Sequence, residues 1–370
     1  MGENKKCLPE KSHVRTLAAL FLLLLVAATL FFSLCFCLRL QQPEIISRIS
    51  SSLSSGSAFP VTAEARHVRP AHTYSIVAID KERGEMGVAV QSHWFSVGSI
   101  VSWAEAGVGA VATQSFVEIS YGPLGLELMR AGKSAAEALE ALLHVDPNTS
   151  VRQVAMVDAR GRVAVHTGKK CIPEAGHITG EGFSCQANMM LKNTVWKAMA
   201  EAYIKTKGEL VDRLMAALEA AEAEGGDIRG KQSAAILIVK TRGSGVSWKD
   251  KVYDLRVEDS PEPLKELRRL IQLAKAYQHM NRGDELLTEN KIKEALAEYS
   301  RAMEMVPDNL EMIFWPAVTM ASTGEVERSL PLFKKVFAAD PRWAELLRRL
   351  PGVDQFPRDK KLLNRILSLK

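Results

Sequence analysis

Residues 73–80 read TYSIVAID, residues 81–85 KERGE and residues 86–93 MGVAVQSH. Two runs of largely apolar residues, the first broken by polar ones, flank a short turn containing Gly84. This is the pattern of a β-hairpin. The first strand opens on a threonine. If the bond before Thr73 were cut, one residue would carry both a hydroxyl nucleophile and a free α-amine to act as its base. The alternative at this level is an ordinary strand that begins with Thr.

Upstream of the hairpin, residues 17–38 run LAALFLLLLVAATLFFSLCFCL without a charge. These 22 residues are long enough to cross a bilayer as a helix. Lys5, Lys6, Lys11 and Arg15 precede them, which predicts a cytoplasmic N-terminus (1–16) and a single-pass membrane protein. The bulk of the chain is then extracytoplasmic or lumenal. A cleaved signal peptide is the rival, but no small-residue cleavage site follows promptly. An uncleaved signal anchor is therefore expected. Residues 39–72, with SSSLSSGSAFP at 50–60, read as a Ser-rich stalk.

Over its 370 residues the chain is 25% charged and 47% hydrophobic, with a net charge of +5. That is an ordinary globular composition with room for two or three units. No dense Lys/Arg block with interleaved aromatics appears, so nucleic acid is not an expected partner. Of five cysteines only Cys171 and Cys185 fall in the globular part. In an oxidising lumen they could pair; two free, buried thiols fit the sequence equally well. Asn148-Thr149-Ser150 is a glycosylation sequon in a predicted loop.

From 73 to 259 the predicted elements come in blocks. Strands at 100–103 and 107–115 follow the hairpin, then helices at 121–131 and 134–144, where Ser134 and Glu137 form a capping box. A second hairpin spans 151–168 and a short strand 183–189. Helices at 193–206 and 209–224 follow, and Gly225-Gly226 stops the second. Strands at 233–239 and 252–257 close the domain. Strands, two helices, strands, two helices, strands predict an α+β fold, a four-layer αββα sandwich rather than a doubly wound parallel sheet.

No G-x-G-x-x-G, P-loop, G-x-S-x-G, H-E-x-x-H or C-x-x-C motif is present. Neither a metal nor a cofactor is expected. Polar residues recur instead at predicted strand ends: Gln91 and His93, Gln114, Gln186 and Asn188, then Asp227 and Arg229 before the strand at 233. Each alone reads as a turn residue or a satisfied strand-end amide. Together they sit where sandwich folds assemble sites from loops. An Asp227–Arg229 pair fits a pocket and a structural loop clamp equally.

The segments GEMGVAVQS, AGVGAVATQS, YGPLGLELMRAG, VDARGRVAVHTG, CIPEAGHITGEGFSCQANMM and GGDIRGKQSAAILIV occur in order between Thr73 and Val239. They resemble the Ntn-hydrolase-like family known as domain of unknown function 1028. The resemblance implies the same αββα sandwich, with Thr73 as nucleophile and base. Gln91, His93, Gln114, Gln186, Asn188, Asp227 and Arg229 are then candidate substrate-binding residues. It implies no substrate. Members of that family often begin almost at the threonine, whereas here 72 residues precede it, so the mechanism requires cleavage of His72–Thr73. Without the cut the domain is expected to be a non-catalytic binding module or scaffold.

Ser260-Pro261-Glu262-Pro263 marks a boundary, after which 264–345 read as helical. Ser329, Phe333 and Pro341 repeat Ala295, Tyr299 and Pro307 at an offset of 34 residues, the tetratricopeptide period. Two repeats are too few for a free-standing solenoid. The helices are expected to pack on the first domain or on a second copy in a homo-oligomer, and to bind a protein or peptide. Residues 346–370 read as a C-terminal tail.

Overall fold

The structure, a computed structural model, describes residues 73–369, all within one compact unit, Pro60–Lys370. Among them no helix is long and apolar enough to cross a membrane. The predicted anchor, 17–38, and stalk, 39–72, lie outside the described residues.

The opening hairpin forms as expected. β1 (Thr73–Asp80) pairs antiparallel with β2 (Glu85–Ser92) from Thr73↔Ser92 to Asp80↔Glu85. Asp80 Oδ1 accepts from the Glu82 and Arg83 amides, and Gly84 supplies the positive φ that closes the turn. Residues 98–101 form one helical turn, α1 (Gly98–Val101), before β3 (Ser102–Glu105), so the strand predicted at 100–103 is shifted. β4 (Gly109–Ser115) follows, then α2 (Tyr121–Arg130) and α3 (Ala135–Val145). The Ser134–Glu137 capping box at the start of α3 is present in both directions.

β5 (Arg152–Asp158) and β6 (Val163–Thr167) make the second hairpin. β7 (Gly176–Gly180) was not predicted; two glycines at its ends and only one large apolar residue give it little strand signal. It pairs with β8 (Phe183–Ala187). α4 (Val195–Lys205), α5 (Leu210–Ala223), β9 (Ser233–Lys240) and β10 (Lys251–Val257) complete the sheets. One sheet has the order β10-β9-β2-β1-β8-β7 and the other β3-β4-β5-β6, all antiparallel.

Strand alternation sorts the side chains. Val77, Ile79, Val88 and Val90 of the larger sheet meet Ala110, Ala112, Ala155 and Val157 of the smaller in a core between the sheets. Tyr74, Ile76 and Ala78 point the other way, into a second core with Met199, Tyr203, Leu214 and Leu218 of α4 and α5. On the far side of the smaller sheet α2 approaches closely. A Cβ at Gly122 would fall 2.4 Å from the Trp103 ring, and one at Gly125 2.8 Å from Met156 Cε. Glycine at two positions three apart thus lets helix and sheet touch.

Beyond β10 the chain is helical, as expected. α6 (Pro263–Thr288), α7 (Ile292–Met305), α8 (Leu310–Ser322) and α9 (Val326–Ala339) form two hairpins, and α9 repeats α7 at the predicted 34-residue offset. Gly283 lets α6 meet the Tyr299 ring of α7. α6 belongs to both halves. Leu264, Leu267 and Ile271 are buried in the core of α4 and α5, while Ala276 and Met280 are buried with α7. Arg268 holds Glu219 through two bonds of 2.6 Å, and Lys275 reaches Asp212 at 2.7 Å. α10 (Arg342–Arg349) crosses the boundary expected at 345/346 and α11 (Lys360–Leu367) lies within the expected tail; their Leu347 and Ile366 are buried beside Phe333 and Phe337.

Candidate functional site

β1 alternates from its first residue, so Thr73 and Ser75 face the space between the sheets, in line with Val77 and Ile79. At the Asp80 end that space is apolar. At the Thr73 end it is filled by hydroxyls and amides. Ser75 Oγ donates to Gln114 Oε1 and accepts from Gln186 Nε2, each at 2.6 Å. Gln186 Oε1 accepts from Ser184 Oγ at 2.8 Å. The Thr73 carbonyl accepts from Gln114 Nε2 at 3.1 Å, from the Asn188 amide at 3.2 Å and from Asn188 Nδ2 at 3.4 Å. Thr73, Ser75, Gln114, Gln186 and Asn188 are all fully buried.

Gln153 of β5 ties these groups together. Its Oε1 accepts from Gln114 Nε2 at 2.7 Å and Asn188 Nδ2 at 2.9 Å. Its Nε2 donates to the Ala187 carbonyl and to Thr167 Oγ1, both at 2.9 Å. Thr167 Oγ1 in turn lies 2.8 Å from His177 Nδ1. Burial, and to a lesser degree the neighbouring His166, hold the His177 pKa below its usual value. Thr73, Gln114, Gln186 and Asn188 are therefore brought together. Gln153, Ser75, Ser184, Thr167 and His177 join them although none was picked out from sequence. A lone amide among the apolar residues of RQVAMVD, the signal that singled out Gln114, also marks Gln153.

The remaining candidates lie elsewhere. Gln91 pairs with Tyr74 across the hairpin, not with Thr73, so it points toward α5 rather than between the sheets. A one-residue offset in a strand reverses the face. Its Oε1 and Glu222 Oε2, the latter at 2.8 Å, both lie within reach of the single Tyr74 hydroxyl proton. Burial, with Glu222 adding to it, pushes the Tyr74 phenol well above its ordinary pKa. His93 is exposed, and only its backbone amide takes part, donating to Asp227 Oδ2 at 3.2 Å. Asp227 accepts three more bonds from Arg229: its amide and Nε at 3.0 Å and its Nη2 at 2.6 Å. The Asp227 carboxylate is wholly buried and links the loop after β2 to the loop before β9. That geometry is a loop clamp.

Behind the site, Arg152 and Asp146 form a buried pair at 2.7 Å. Arg152 Nη1 also donates to the Phe116 carbonyl at 2.6 Å, and the Tyr121 hydroxyl to Asp146 Oδ2 at 3.0 Å. The loop after β4, which begins two residues beyond Gln114, is thereby fixed. Cys171 and Cys185 are free buried thiols, each with its pKa raised by burial. Among the described residues no group of three or more His, Cys, Asp or Glu is placed to hold a metal ion.

The chain belongs to a family of unknown function, domain of unknown function 1028, whose model matches residues 73–267, more than half of its length. The match begins at Thr73, the residue that opens β1, and ends within α6. Among solved structures the chain is similar to protein SPO2555 from Silicibacter pomeroyi, which carries the same family designation. The two are 29% identical with a TM-score of 0.50, over 55% of this chain and 90% of the other. No curated protein matches.

Proposed function

We propose that this chain is a membrane-anchored amide- or peptide-bond hydrolase of the Ntn type, with Thr73 as an N-terminal nucleophile exposed by cleavage of His72–Thr73. The observation that carries the reading is the position of Thr73. It is the first residue of a central strand, it faces the space between two sheets, and three N–H donors converge on its carbonyl. An αββα sandwich of Ntn type places helices on the outer face of each sheet, and the packing of α2 to α5 is compatible with it.

The chemistry follows from the residue. A freed α-amine titrates near pH 7.7–8.0, so a useful fraction is neutral at physiological pH. It removes the Thr73 hydroxyl proton as Oγ1 attacks the substrate carbonyl. The amide side chains of Gln114 and Asn188 are the candidate donors to the oxyanion, each by releasing its bond to Gln153 Oε1 or to the Thr73 carbonyl. The C–N bond then breaks, the amine leaves with the proton held by Nα, and water hydrolyses the Thr73 ester. In an uncut chain the Thr73 nitrogen is an amide without basicity. Residues 17–38 would anchor the protein, leaving the sandwich extracytoplasmic or lumenal.

A second reading, a non-catalytic anchored scaffold whose sandwich binds a ligand and whose tetratricopeptide-like helices bind a partner, is favoured by a different observation. Thr73 is fully buried, and Gln114, Gln153, Gln186 and Asn188 bond to one another or to neighbouring groups. N-terminal sequencing and intact mass of the expressed full chain separate the two. The hydrolase reading expects a species beginning at Thr73, absent from Thr73→Ala if the cut is self-made. A chain that is only ever intact, or that begins elsewhere, leaves the scaffold.

A further inference from the structure

The helices beyond the sheets enclose an open groove of about 600 Å³. One stripe of α6, carrying Tyr277, Asp284 and Thr288, faces one stripe of α8, carrying Glu311, Trp315 and Ser322. Spacings of seven and four residues keep each set on one side of its helix. From 277 to 288 the wall runs about 16 Å at the helical rise of 1.5 Å per residue. That is the length of about five residues of extended chain. Met280, Leu287 and Val318 supply apolar surface between the walls.

The charge of this groove differs from that of the surrounding helices. Elsewhere on them several acids are answered by arginines one turn away, as in Arg282–Glu285, Arg301–Glu298 and Arg328–Glu325. The groove is lined by Asp284, Glu311 and Asp354 and by no Lys, Arg or His. Asp354 is held by Arg358 at 2.8 Å. Asp284 and Glu311 pair with no cation among the described residues. Each is instead held by a phenol: Tyr299 donates to Asp284 at 2.5 Å and Tyr277 to Glu311 at 2.6 Å. The Glu311 hydrogen bond pushes the Tyr277 phenol up to about 12, so the proton stays on the tyrosine.

We propose that this groove binds an extended segment of a partner protein that presents lysine or arginine side chains to Asp284 and Glu311. A carboxylate already oriented by one donor loses less freedom when it accepts a second, charged one. The faces of Tyr277 and Trp315 accommodate the aliphatic stems and attract the cationic heads. A neutral or acidic segment would leave two carboxylates desolvated without a counter-charge, and is disfavoured for that reason.

The test uses the full chain and fluorescein-labelled pentalysine, read by fluorescence anisotropy. Saturable binding is expected, weakening as salt is raised. Combining Asp284→Asn with Glu311→Gln should weaken it at least about tenfold, a change of about 1.4 kcal/mol. Ser322→Arg should weaken it as well; this residue is exposed, so the substitution does not tax folding. Glu345→Gln, on the outer surface beside Arg348 and Arg349, should leave it unchanged. The proposal is overturned by no saturable binding of pentalysine, by equal affinity in both groove variants, or by equally tight binding of labelled pentaglutamate.

Discussion

Gln153 Oε1 lies 2.7 Å from Gln114 Nε2 on the neighbouring strand and 2.9 Å from Asn188 Nδ2 beyond the end of β8 in the opposite sheet. One side-chain carbonyl therefore joins the two sheets at the end where Thr73 begins. Gln153→Ala removes it and leaves two buried amide groups short of an acceptor. A buried polar group left unsatisfied costs about 1–3 kcal/mol, so a loss of about 2–5 kcal/mol is expected. Urea denaturation of the full chain measures it. A loss below about 0.5 kcal/mol would show that water or relaxation replaces the lost bonds.

The Arg152–Asp146 pair is buried on both sides, with 5% and 2% of the side chains exposed. Asp146→Asn leaves the guanidinium with only Glu118, at 3.9 Å, as a charged partner in a nearly dry site. Removing one partner of such a pair costs about 3–5 kcal/mol, whereas replacing both with apolar residues is often neutral. Arg152→Met in the Asp146→Leu background should therefore recover part of what Asp146→Leu alone loses. Additive losses in the double variant would contradict the coupling.

His177 gives a pH signature. Its folded pKa is depressed, so around pH 6.5 and below the unfolded chain binds the proton more readily than the folded one. The contribution is intact above the unfolded value and is lost as pH falls through the folded one. Thermal stability should therefore fall between about pH 7 and 5. His177→Gln should flatten that part of the profile, and an identical slope in the variant would remove His177 as its source.

Asp227 accepts from His93 and Arg229 at once and has no exposed side-chain surface. Asp227→Asn keeps the size and removes the charge. It should destabilise the chain by about 1–3 kcal/mol and speed amide exchange in the loop at 93–97. Arg229→Ala should lower stability while any turnover per folded molecule stays intact. Full stability with lost turnover would move Arg229 from the clamp into the site.

The hairpin at Thr73, the Ser134 cap, the Gly225 stop and the 34-residue helix offset could be read in advance because each rests on neighbours in sequence. Gln91 could not. Its face depends on whether it lies opposite Thr73 or Tyr74, and that register is set by the Asp80–Gly84 turn. Gln153 escaped for another reason. Its partners at 114, 167 and 188 are brought near only by the stacking of two sheets, which no local pattern encodes. β7 was invisible because Gly176 and Gly180 weaken the very signal that marks a strand.

Proline at 261 and 263 looks like a seam between two separable parts, yet α6 is a single rod of 26 residues, about 39 Å long, rooted in both cores. A chain ended at 259 would bare the α4–α5 surface that Leu264, Leu267 and Ile271 cover, and would be expected to aggregate. The same rod joins the groove to the core that packs on the strand of Thr73, so whatever the helices hold is tethered to the sandwich through one unbroken helix.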